Sequence, residues 1–94
     1  MGLTLSVLRI KFYGYRLIAR NMPSNEIRSL REKFCKLPGS MLDKLKCLHS
    51  EVFTEVHWER LLVFLNFVEQ LGLTDEEWEQ LFDFLVPTLS QMQE

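Results

Sequence analysis

Cysteine is scarce in this chain: Cys35 and Cys47 are the only two in 94 residues. Two thiols do not make the disulfide framework of a small secreted scaffold, and their intervals to His49 and His57 match no common zinc module. Both are therefore expected to be buried or idle in a reducing compartment, cytosolic or nuclear. A zinc site of Cys35, Cys47, His49 and His57 is the alternative those residue types leave open. Long apolar runs are missing too, since none approaches the roughly 20 residues of a membrane span. Arg9, Lys11 and Arg16 interrupt the segment from Leu3 to Ile18, and no small-residue cleavage pattern follows it, so a secretory signal is not expected. There is no glycine-rich phosphate loop, nucleophile elbow or paired-histidine motif, and the expectation is no enzyme, no metal and no cofactor. The carboxylates of residues 75–83 fall at the start of a helix, where capping and the helix dipole already account for them.

What is present is apolar and unevenly charged. An apolar content of 47% excludes disorder, and the length suits one domain over residues 1–94. The net charge of −2 hides a split: residues 1–48 hold ten Lys or Arg against three acids, whereas residues 49–94 hold ten acids against Arg60 alone. Such a split steers partners, orients a molecule on an anionic surface, or draws the two halves of one fold together.

Apolar residues recur at helical intervals throughout and nowhere alternate with period two, which predicts an all-α, compact bundle of about five helices around a central apolar one at 58–71. The first helix spans Thr4 to Arg20, with Leu5, Leu8, Phe12, Tyr15 and Ala19 facing inward and Arg9, Tyr13, Arg16 and Arg20 facing out. Pro23 stops it, and Ser24 is placed to cap a second helix from Asn25 to Lys36. Pro38 and Gly39 make the next break, after which Ser40 with Asp43 resembles a capping box for a helix through Leu42, Leu45, Leu48 and Val52. Trp58 begins the central helix and Gly72 supplies its left-handed stop. Thr74 with Glu77 forms a capping box for the last helix, which buries Trp78, Leu81, Phe82 and Leu85 until Pro87 kinks or ends it.

Val52 to Phe67 read Val-Phe-Thr-Glu-Val-His-Trp-Glu-Arg-Leu-Leu-Val-Phe-Leu-Asn-Phe, which sets Trp58 and Arg60 at the mouth of the apolar helix. This segment resembles the first homology region of the B-cell lymphoma two family of apoptosis regulators, with Phe53, Glu55, Val56, Trp58, Arg60, Leu61, Phe64 and Phe67 in order. Pro38-Gly39-Ser40 is similar to that family's turn before the preceding helix, and Phe12-Tyr13-Gly14-Tyr15-Arg16-Leu17 is similar to its amino-terminal helix. The resemblance implies a surface groove that holds an amphipathic helix from a death-promoting partner. In that groove Arg60 would grip the partner's aspartate, with Trp58 beside it and Leu48, Val52, Leu61 and Phe67 lining apolar pockets. The chain departs from the pattern at Glu59, where the family has a small glycine, and at His57, where it has asparagine. The turn at Glu55 and Val56 is one residue short, residues 21–40 do not hold two full helices, and the second homology region does not follow Val86. A shallower groove follows, open to completion by a homodimer.

Two other readings compete. Met1-Gly2-Leu3-Thr4-Leu5-Ser6 satisfies the N-myristoylation pattern at Gly2, and Arg9, Arg16 and Arg20 would supply the membrane-facing basic second signal, as in a domain similar to a retroviral matrix protein. That reading places the chain in the cytoplasm at an anionic membrane surface. The third is a death-fold adaptor, since Ser24 to Arg31 and Val68 to Leu73 are similar to helices of death-effector domains. Nucleic acid is disfavoured, because basic residues interleave with aromatics only around Phe12, Tyr13 and Tyr15, where core packing is the commoner reason. The plain readings are a solvated helix-surface arginine at position 60 and a core or helix-cap anchor at Trp58.

Overall fold

The computed structural model describes residues 4–53 and 57–92, and among them there are five helices and no strand. They are α1 (Leu5–Arg20), α2 (Ile27–Lys36), α3 (Met41–Val52), α4 (Trp58–Glu69) and α5 (Asp75–Gln91). Helix starts follow the side chains able to accept from free backbone amides. Thr4 Oγ1 accepts from the Val7 amide, Ser40 Oγ from Asp43, and Thr74 Oγ1 from Glu77, whose carboxylate accepts in return from the Thr74 amide. α2 opens two residues later than expected: the Ser24 hydroxyl accepts from the Glu26 amide, Glu26 becomes the cap, and the helix begins at Ile27. Gly72 has φ +70, the left-handed conformation the stop after α4 requires. Pro87 neither ends nor shortens α5, which continues to Gln91.

α4 is the centre. Every residue from Leu61 to Val68 is buried, and the helix packs on α1, α2 and α3, most extensively on α1. α5 closes the bundle against α1 and α3. Phe12 joins these layers, with its ring meeting Trp78 at 6.0 Å and Phe82 at 5.4 Å. The Cα radius of gyration is 12.7 Å, against about 12 Å expected for a packed domain of this length. No helix among the described residues is long and apolar enough to cross a membrane.

One buried polar residue ties the centre to its neighbour. Asn66 Nδ2 donates to the Ala19 carbonyl at 2.6 Å and the Met22 carbonyl at 2.9 Å. The first lies in the last turn of α1, where the Met22 amide also donates to it, and the second lies just beyond the helix. The periodicity of α4 marked position 66 only as a gap in an apolar stretch.

Candidate functional site

Part of the charge split is satisfied inside the fold, through the three arginines of α1. Arg9 pairs with Glu79, which also accepts from Tyr13 Oη at 3.0 Å. Arg16 Nε donates to Glu69 at 3.1 Å while its guanidinium lies 3.6 Å from the Trp78 ring centre, and Arg20 reaches the same Glu69 oxygen at 3.3 Å. The stripe expected to face outward therefore runs along Glu69 of α4 and Glu79 of α5, with Arg16 largely buried and Arg20 still more than half exposed. Hydrogen bonds from Arg9 and then Tyr13 hold the Glu79 carboxyl below its usual range. Gly2 lies outside the described residues, as do Glu55 and Val56 of the motif.

The four apolar residues expected to line a groove are interior. Leu48, Leu61 and Phe67 are fully buried and Val52 nearly so. Phe67 is covered by α2, whose Phe34 ring stands edge-on to it at 5.5 Å. A partner helix has no access to them. Trp58 departs in the opposite sense, being 49% exposed at the first turn of α4, where its ring lies over His57. Trp78, not Trp58, is the core anchor.

Cys35 and Cys47 are both exposed free thiols rather than buried ones. Among the described residues no three His, Cys, Asp or Glu side chains converge as a metal cage. His49 lies among rings instead, stacked on Phe53 at 4.4 Å with Phe64 and Phe84 at its edges and Nε2 3.1 Å from Thr88 Oγ1. Burial pushes its pKa down.

One open feature of the surface lies where α1 ends and α4 begins. A hollow of 420 Å³ is lined by Ile18, Met22, Glu26, Trp58, Glu59, Arg60, Leu62 and Val63. That volume falls in the range of about 300 to 1,000 Å³ typical of ligand pockets. Leu62 and Val63 are buried and form the floor, while Ile18 and Trp58 are exposed walls. His57 orients the entry: its Nδ1 accepts from the Glu59 amide, so the imidazole caps α4.

Arg60 stands at the edge of this hollow, partly open to solvent and paired with Glu26 rather than Glu59. Its Nη1 and Nη2 grip the two Glu26 oxygens at 2.8 and 3.0 Å, and Nε donates to the Val52 carbonyl at 3.4 Å. The guanidinium thus joins the carboxylate at the start of α2 to the last turn of α3, and both contacts complement helix dipoles. Hydrogen bonding from Arg60 lowers the Glu26 pKa, and the same bonds raise that of Arg60. The pair is half open to solvent, with side-chain exposures of 34% for Arg60 and 47% for Glu26. Such a pair contributes on the order of 1 kcal/mol or less. Comparison with protein-family models, curated proteins and solved structures finds no match for this chain.

Proposed function

We propose that this chain is a non-enzymatic helical interaction module that receives an amphipathic partner helix at the hollow between α1 and α4. A large apolar side chain of the partner enters between Ile18 and Trp58, above Leu62 and Val63, while an acidic residue beside it exchanges with Glu26 for the Arg60 fork. The observation that carries this reading is the bidentate guanidinium held at the mouth of an apolar-floored hollow by a half-exposed carboxylate.

Magnitudes support the exchange. Opening the Arg60–Glu26 pair costs on the order of 1 kcal/mol, and a replacement carboxylate restores its bonds. Burying a leucine or phenylalanine side chain contributes about 1.5 to 3 kcal/mol, so apolar burial decides affinity and the carboxylate decides register. Tryptophan and arginine are also among the residue types enriched where binding energy concentrates. The site lies beside, not within, the groove implied by the resemblance, since Leu48, Val52, Leu61 and Phe67 are interior. The resemblance at Trp58 and Arg60 still makes death-promoting amphipathic helices the first ligands to try, and regulation of apoptosis the first role.

Anisotropy titration of labelled death-promoting helix peptides against wild type and Arg60→Ala tests the proposal. Saturable binding to wild type that weakens about tenfold in Arg60→Ala, or 1.4 kcal/mol, supports it. Equal affinities, or no binding to either, would remove it.

A further inference from the structure

The fold keeps a basic helix and an acidic helix apart. α2 carries Arg28, Arg31, Lys33 and Lys36 against Glu32, whereas α5 carries Asp75, Glu76, Glu77, Glu79 and Asp83 and no cation. α2 packs on α3 and α4, and α5 packs on α1 and α3, so the two do not meet within one copy. Much of their charge has no partner inside the fold. Among the described residues Arg28, Lys33, Lys36, Glu76 and Asp83 form no ion pair, and Arg9, which feels Asp83 from a distance, is held by Glu79. The outward rows of the two helices also match in spacing. Arg28, Glu32 and Lys36 are exposed at intervals of four along α2, and Glu76, Gln80 and Asp83 are exposed at intervals of four and three along α5. At about 1.5 Å per residue these rows span about 12 Å and about 10 Å.

We propose that α2 of one copy docks on α5 of a second copy through these rows. Laid antiparallel, Lys36 meets Glu76 and Arg28 meets Asp83, while between them the Gln80 amide donates to the Glu32 carboxylate. The parallel arrangement would set like ends of the two helix dipoles together. A second copy accounts for both rows, whereas an anionic membrane or a nucleic acid would match α2 alone and leave α5 without a counterpart. The two surfaces differ, so the contact is heterologous. Each added copy presents a free α2 at one end and a free α5 at the other, and the assembly is open to growth. Exposed ion pairs are individually weak and screened by salt, so the association is concentration-dependent and strongest at low ionic strength. The hollow lies outside both rows.

Sedimentation equilibrium of the full chain from about 10 µM to about 1 mM, at about 0.02 M and about 1 M salt, reads the outcome directly. Wild type is expected to rise from 11.2 kDa past twice that mass at low salt and to return to the single-chain mass at high salt. Arg28→Glu combined with Lys36→Glu, and Glu76→Lys combined with Asp83→Lys, should each stay at the single-chain mass with unchanged helical circular dichroism, since all four positions are exposed. An equimolar mixture of the two double variants brings the intact α5 of the first to the intact α2 of the second and should associate again. Gln80→Glu separates this register from general attraction: it makes α5 more acidic yet sets a carboxylate against Glu32, so it should weaken the association. Arg60→Ala should associate as wild type does, which separates this inference from the fate of the hollow. A wild type of single-chain mass at every concentration, a double variant as heavy as wild type, or a Gln80→Glu variant that associates more strongly overturns the proposal. Pelleting of a single-chain wild type with anionic vesicles, lost in the Arg28→Glu, Lys36→Glu variant, would assign α2 to lipid and overturn it equally.

Discussion

Replacing Asn66 with alanine removes two hydrogen bonds from the centre of the bundle, at 2.6 Å to Ala19 and 2.9 Å to Met22. The Ala19 carbonyl keeps the Met22 amide at 3.1 Å, and the Met22 carbonyl, only partly buried just beyond α1, stays within reach of water. Each net hydrogen bond contributes about 1 kcal/mol, which gives about 2 kcal/mol for Asn66→Ala. For a domain of this size that lowers Tm by about 8 to 16 °C. Asn66→Asp keeps the shape but turns an acceptor toward two carbonyl oxygens, so it should be the more damaging of the two. Urea unfolding monitored by circular dichroism compares the three proteins. If both variants lie within about 0.5 kcal/mol of wild type, the tie between α4 and α1 is not what holds these helices in register.

Two further perturbations follow from the ring cluster and the ion pairs. Burial depresses the His49 pKa below its ordinary 6.5, so the unfolded chain takes up the proton first as pH falls. Stability is fully present above that pH and declines below it, and His49→Gln should flatten the difference between urea midpoints at about pH 7.5 and about pH 5.5; an unchanged slope would contradict the assignment. Arg16 lies over Trp78 while bonded to Glu69, and both partners of that pair are largely buried, so Arg16→Ala should cost about 1.5 to 3 kcal/mol. Arg20 is more than half exposed and its loss should cost under about 0.5 kcal/mol; equal losses at the two positions in thermal unfolding would contradict the distinction.

Local chemistry made the helices legible, and long-range partners did not. The capping box of Thr74 and Glu77, the Ser40 cap and the Gly72 stop act within three or four residues, so the sequence carries each of them whole. The all-apolar stretch of α4 likewise announced its burial. The arginines of α1 read as a solvated stripe because their partners, Glu69 and Glu79, lie about fifty or more positions away. Glu26, which grips Arg60, is 34 positions from it and carried no local signal. Trp58 shows why aromatic bulk alone does not place a residue in the core: the first turn of a helix that begins at the rim leaves its side chain outside. Pro87 shows the limit of breaker rules, since α5 tolerates the missing amide and runs one further turn.

The most direct test of the hollow as a binding site is the indole N–H resonance of Trp58, followed by NMR during titration with an amphipathic helix peptide and with the same peptide carrying asparagine in place of its aspartate. A saturable shift of Trp58 but not of buried Trp78, reached at lower concentration by the aspartate peptide and at lower concentration still in Glu26→Gln, is the predicted result. An unmoved Trp58 resonance, or identical titrations for the two peptides, would contradict it.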